Sequence, residues 1–208
     1  MKTKIFYKQL EIFMELIFAT HNQHKVNECN LELAHIPNLT VRSLTEVKIL
    51  EELPETQATI EGNAIQKAQY VFSKFGYNCF ADDSGLEIFA LNGAPGVHSA
   101  YYGGAERSHK KNTELVLENL KDTLDRTAQF KTVVALVLND ELFMFEGICK
   151  GKILLEPIGT NGFGYDPIFQ PDGFTQSLAE LTAAEKIAIS ARGIATRKLI
   201  AFLKDKFL

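Results

Sequence analysis

Apolar residues along this 208-residue chain recur with two periods, short runs of five to eight and longer stretches spaced three or four apart. Glu15 to Ala19 is a short apolar run that reads as a strand, followed at once by the polar Thr20-His21-Asn22-Gln23-His24-Lys25. Val26, Cys29, Leu33 and Ile36 then line one side of a predicted helix from Val26 to Ile36. A second strand is expected at Leu39 to Leu44, and after an acidic loop through Glu51, Glu52 and Glu55 a helix from Thr59 to Lys74, closed by Gly76. Tyr77 to Ala81 predicts a buried strand that gives way to a turn at Asp82-Asp83-Ser84-Gly85, before another strand from Leu86 to Leu91. The loop Asn92 to His98 contains Gly93, Pro95 and Gly96 and reads as irregular.

Arg107 to Lys121 predicts a charged amphipathic helix. Lys131 to Leu138 is the strongest strand signal, with hairpin partners in Glu141 to Leu155 across the Asn139-Asp140 turn. Thr182-Ala183-Ala184-Glu185 has the pattern of a capping box and opens a C-terminal helix, with a break expected at Arg192-Gly193 before an amphipathic tail ending at Phe207. Strands interspersed with helices, some joined by tight hairpins, imply an α/β fold with a mixed sheet.

Composition narrows the class. With 46% apolar residues the chain has enough material for a sizeable core, as one domain or two closely associated lobes. A net charge of -4 argues against nucleic-acid or anionic-membrane partners, so any phosphate site must be local. Cys29, Cys79 and Cys149 are far apart and form no CxxC, which points to a reduced, cytoplasmic protein without a zinc cluster. No apolar run approaches the roughly 18 residues of a spanning helix. Residues 1–13 mix lysines, aromatics and polar residues and read as an extension outside the fold, which then occupies residues 14–208.

Three clusters carry candidate chemistry. Asp82 and Asp83 point to opposite faces wherever their backbone is extended, so one can brace the fold while the other holds a hard cation or takes a proton from water. Thr20, Asn22 and Lys25 at a strand–loop–helix junction offer hydroxyl, amide, cation and helix-start N–H groups to an oligophosphate, without the glycine spacing of a Walker loop. Phe163-Gly164-Tyr165-Asp166-Pro167 places two aromatics around a glycine, a candidate stacking platform for a flat ring. Each has a plain alternative: a turn, a helix cap, and core pins beneath a loop.

Taken in order, these motifs resemble the inosine triphosphate pyrophosphatase family. The resemblance rests on Thr20-x-Asn22-x-x-Lys25, Asn63-Ala64-x-x-Lys67-Ala68 and Ala81-Asp82-Asp83-Ser84-Gly85-Leu86. It continues through Gly93-Ala94-Pro95-Gly96, Phe163 to Pro167, and Lys186-x-x-x-Ser190-x-Arg192-Gly193. The resemblance implies an elongated mixed sheet with two lobes around a central cleft, a homodimer, and Mg2+-dependent hydrolysis of non-standard purine nucleoside triphosphates to the monophosphate and pyrophosphate. It further implies that Thr20, His21, Asn22, Gln23, His24 and Lys25 bind substrate, Thr20, Asn22 and Lys25 through its phosphates, with Lys25 and Lys67 also catalytic. By the same resemblance Asp83 is proton acceptor and metal ligand, Ser84 contacts substrate, and Phe163, Gly164, Tyr165, Asp166, Lys186, Ser190, Ala191 and Arg192 surround the base.

Three departures from the family pattern stand out. Ala191 replaces a histidine, Tyr101 an arginine, and Gly62 an acid, leaving Glu61 one position earlier as the candidate second metal ligand. The altered base end keeps two other readings in play, a pyrophosphatase with relaxed or shifted base choice and a non-catalytic nucleotide-binding module.

Overall fold

The computed structural model describes residues 14–33 and 36–207; the extension read at residues 1–13 lies outside the described residues. Six strands form one mixed sheet in the order β2-β1-β3-β4-β5-β6. The strands are β1 (Met14–Phe18), β2 (Leu39–Ser43), β3 (Cys79–Ile88), β4 (Thr127–Leu138), β5 (Glu141–Ile153) and β6 (Phe169–Pro171). β1 runs parallel to β2 and β3, while β3 to β6 are antiparallel neighbours. The helices are α1 (Gln23–Leu33), α2 (Ile60–Phe75), α3 (His109–Asn119), α4 (Ala183–Ile189) and α5 (Ala191–Phe207). This is the mixed-sheet α/β fold that the strand and helix patterns predict.

Strand alternation sorts the core. Leu16, Phe18, Phe80, Val134 and Leu136 pack with Val26, Cys29 and Leu33 of α1 and with Ala195, Leu199 and Leu203 of α5. Their neighbours Ile17, Cys79, Ala81, Val133 and Ala135 pack on the other face against Ile60, Ala64, Ala68 and Val71 of α2. The period of two thus sends Phe80 of β3 to the first layer and Cys79 and Ala81 to the second. A third apolar cluster joins the far ends of β3, β4 and β5 to α3 and to Tyr165, Ile168 and Phe169.

The largest departure from the sequence expectation is at the centre. Asp82 to Gly85 is not a turn: β3 runs unbroken through it, paired with β4 from Cys79↔Val137 to Ile88↔Ala128. A continuous antiparallel ladder with β4 satisfies the backbone groups on that edge and overrides the turn preference of Asp, Ser and Gly. Glycine at 85 serves close approach instead, because a Cβ would collide with the carbonyl oxygen of Gly96. β3 ends at Ile88, and Phe89–Leu91 is a 3-10 turn rather than strand.

Other boundaries shift for local reasons. α1 begins at Gln23 and not at Val26, because the polar loop supplies its own cap. α2 has Thr59 as N-cap, its hydroxyl accepting the Gly62 N–H at 3.0 Å, and closes on Gly76 in the left-handed region. The helix expected from Arg107 starts at His109 behind an N-cap at Ser108, and Glu141 to Ile153 is one strand rather than two. The hairpin turn is as predicted, Asn139 and Asp140 both having positive φ. Thr182 and Glu185 form the expected capping box of α4. The break that follows falls at Ser190, not at Arg192-Gly193, which sit in the first turn of α5. Gly193 allows that tight corner, since a Cβ there would collide with the Ile187 carbonyl oxygen.

Candidate active site

The two layers converge on β3. Asp82 follows the parity of Phe80 and points to the α1/α5 layer; Asp83 follows Ala81 and points to α2. Asp82 is 1% exposed and bridges the Lys25 ammonium and the Arg192 Nε, each at 3.0 Å. Burial alone would raise the pKa of this carboxyl; the two cations outweigh burial and hold it well below the ordinary carboxylate range. Asp83 accepts from the Asn63 side-chain amide at 3.3 Å and lies 3.7 Å from the Lys67 ammonium. Here burial prevails, and the pKa of Asp83 is raised despite Lys67 and Lys25. Ser84 returns to the Asp82 face, sharing a hydrogen bond of 2.9 Å with Thr132 and lying 3.4 Å from an Arg192 nitrogen.

A cavity of about 400 Å3 opens over these groups. One end holds Thr20, Asn22, Lys25, Asn63, Lys67 and Asp83; the other holds Phe163, Tyr165, Lys186, Ser190, Ala191 and Arg192. At the first end the loop caps itself. The Thr20 hydroxyl accepts the Asn22 N–H at 3.1 Å, and the Asn22 side-chain oxygen accepts from the N–H of His24 and Lys25 at 3.0 and 3.3 Å. Helix-start N–H groups expected for phosphate are therefore partly used already. Burial lowers the Lys25 pKa even beside Asp82, whereas for Lys67 the lowering by burial is overcome by Asp83, Asp82 and Glu55 and the pKa is raised.

The second end is built on Phe163. Lys186 lies over its ring at 4.5 Å from the centroid, Arg192 at 5.8 Å, and the His24 ring stacks on it at 5.6 Å. Asp166 fixes the loop, accepting from the Phe163 N–H and from Lys186, both at 2.7 Å. Tyr165 is not a second free platform: it is buried, and its hydroxyl donates to the Ser99 carbonyl at 2.8 Å. Ser190 lines the cavity and accepts the Gly193 N–H at 3.1 Å, setting the start of α5 that carries Arg192.

Several expected site residues are placed elsewhere. Gln23 pairs with Asn27 on the exposed side of α1 and does not line the cavity; neither does His24, which reaches Phe163 instead. His21 lines it, with a ring nitrogen on the Glu51 carbonyl at 2.9 Å. Glu61 is the clear correction: its position on α2 turns it towards Lys131 of β4, with which it is ion-paired, and away from the cavity. The acid beside Asp83 is Glu55, bonded to Lys67 at 2.6 Å. Sequence reasoning also misses Glu28, which lies one helical turn beyond Lys25 and pairs with Arg192 and, at 3.6 Å, with Lys186. Glu55 is hidden in an acidic loop that reads as a solvated run, and only the Lys25-x-x-Glu28 spacing hints at the second.

The lining balances its charges. Lys25, Lys67, Arg107, Lys186 and Arg192 stand against Glu28, Glu52, Glu55, Asp83 and Asp166, five of each sign, with Asp82 behind them. A polyanion gains little from such a wall without a further cation. Asp83 and Glu55, two carboxylates gathered by one ammonium, are hard oxygen donors of the kind that hold Mg2+ together with phosphate oxygens. The donor set therefore fits the ion that the resemblance implies, although among the described residues no group of three His, Cys, Asp or Glu side chains is close enough to cage a metal unaided.

Comparison with known proteins identifies the family. The Ham1 family model matches residues 16–202. A protein of Flavobacterium psychrophilum named dITP/XTP pyrophosphatase is 48% identical over 192 residues, covering 92% of this chain and 100% of its own length. A protein of the same name from Christiangramia forsetii is 52% identical over 191 residues, covering 91% and 99%. The solved structure of the Staphylococcus aureus Ham1 protein superposes with a TM-score of 0.86 at 38% identity, covering 93% of this chain and all of that one. By its motifs, its sheet and its kinship over nearly its whole length, this chain belongs to the Ham1 family.

Proposed function

We propose that this protein hydrolyses non-standard purine nucleoside triphosphates, of the ITP, dITP and XTP type, to the nucleoside monophosphate and pyrophosphate. The observation that carries the reading is the split of Asp82 and Asp83, which sets a buried, partly desolvated carboxylate in the cleft wall beside Lys67 and Asn63. The names of the 42–52% identical relatives support the same substrate class.

In this reading Thr20, Asn22, Lys25 and Lys67 hold the triphosphate, and Asp83 takes the proton from the water that adds across the α–β anhydride. Asn63 orients Asp83 by donating to one of its oxygens, which leaves the other for water. Asp83 and Glu55 would hold Mg2+, which when bound neutralises phosphate charge and polarises the linkage. Phe163, with the cations Lys186 and Arg192 over it, offers a face for the purine, and donors at this end favour a 6-oxo group over the amino group of adenine. Ala191 is buried against the cavity and adds no donor, so discrimination falls to Arg192 and backbone groups.

The test is pyrophosphate release from ITP, XTP, GTP and ATP in the presence of Mg2+. ITP and XTP are expected to have the highest kcat/KM. Equal turnover of ATP would establish relaxed base choice, and binding without turnover would make the protein a nucleotide-binding module. The cysteines are buried free thiols, which suits a reducing compartment such as the cytoplasm. We also take the active form to be a homodimer, as the family resemblance implies. Light scattering should then give twice the chain mass; a single chain mass would remove the dimer.

A further inference from the structure

Four of the five lysine and arginine side chains lining the cavity are already held by acids: Lys25 by Asp82, Lys67 by Glu55 and Asp83, Lys186 by Asp166, and Arg192 by Asp82 and Glu28. The fifth, Arg107, makes no ion pair and no side-chain hydrogen bond among the described residues. It precedes the N-cap of α3, between neighbours that are tied down: Glu106 is paired with Lys111, and the Ser108 hydroxyl accepts the Lys111 N–H at 3.4 Å. Its backbone has φ 53°, in the left-handed region, where arginine has none of the advantage of glycine or asparagine. Strain of this kind at a cleft, on a residue whose side chain does no structural work, directs attention to what the side chain meets when the cleft is filled. Arg107 is also among the cations, after Lys67 and Lys25, that hold the Glu55 carboxyl below the ordinary range against the raising effect of burial.

We propose that Arg107 is a further substrate-contact residue, its guanidinium gripping the terminal phosphates of a bound triphosphate as a forked donor. This rests on the pyrophosphatase reading and adds to it the residue that recognises the departing pyrophosphate. Lys25 and Lys67 must loosen existing ion pairs to meet phosphate, whereas Arg107 gives up only water. A planar fork with several N–H donors matches phosphate oxygens better than an ammonium does. Because Arg107 is exposed, the gain is discounted for solvent screening.

The experiment compares calorimetric binding of the two products, pyrophosphate and inosine monophosphate, each with Mg2+ in the buffer, to the wild-type protein, Arg107→Asn and Arg107→Lys. Asparagine tolerates the left-handed backbone, so the neutral variant keeps the loop. The expected result is a roughly 5–30-fold weaker pyrophosphate affinity in Arg107→Asn, partial recovery in Arg107→Lys, and no more than a roughly twofold change for the monophosphate. Unchanged pyrophosphate affinity, an equal loss for both products, or undetectable pyrophosphate binding by the wild-type protein would each overturn the assignment. Failure of the wild-type protein to release pyrophosphate from ITP is a separate result and would instead remove the reading of function.

Discussion

Asp82 and Asp83 are adjacent, chemically identical and one peptide apart, yet substitution of each should fail differently. Asp83→Asn removes the proposed proton acceptor and metal-holding oxygen while leaving shape and the Asn63 contact largely intact, so turnover should drop roughly 100- to 10,000-fold with the unfolding midpoint little changed. Asp82→Asn leaves the largely buried Lys25 without its acid and Arg192 with Glu28 alone, and should cost about 3–5 kcal/mol of stability in a denaturant titration. A stable Asp82→Asn protein, or an active Asp83→Asn one, would refute this division. The division is half visible in the sequence. Two adjacent acids in extended backbone must face opposite ways, but which one faces the cleft depends on the parity of Phe80 and Ala81 against α1 and α2, fixed only by tertiary packing. Glu61 fails as a metal ligand for the same reason, since a one-residue offset on a helix turns a side chain about 100° and here delivers it to Lys131.

At the scale of elements, strands and caps with strong local signals are legible: Gly76, the Asn139-Asp140 hairpin and the Thr182 capping box. Asp82 to Gly85 reads wrongly as a turn because local turn preference cannot register ten pairings with β4. Those pairings explain the demand on Gly85, which is squeezed between β3 and the Gly96 backbone rather than bent. Gly85→Ala should therefore destabilise the protein by about 1–3 kcal/mol in urea unfolding, the ordinary cost of overpacking. No change in midpoint would mean that the loop over residues 92–99 yields freely. In that loop the Ser99 hydroxyl accepts the Leu86 N–H at 2.9 Å, a contact with β3 that holds the cleft wall.

Over the whole molecule, one sheet separates two helical layers and brings a group from each to a single cavity: Lys25 and Arg192 from one side, Lys67 and Asn63 from the other, with β3 between them. The order of motifs along the chain is enough to suggest the family, because their spacing survives in sequence. The charge balance of the cleft is not legible there, because Glu55, Glu28 and Arg107 acquire partners, or lack them, only after folding. That balance makes the account specific about products. With Lys25, Lys67 and Asp83 on the phosphates and Phe163 and Arg192 on the base, as proposed above, the α–β linkage is the bond presented to the proposed proton acceptor. The most direct measurement is the product stoichiometry from ITP with Mg2+: one pyrophosphate per inosine monophosphate, with no orthophosphate released, is expected. Orthophosphate with inosine diphosphate, or no product at all, would contradict it.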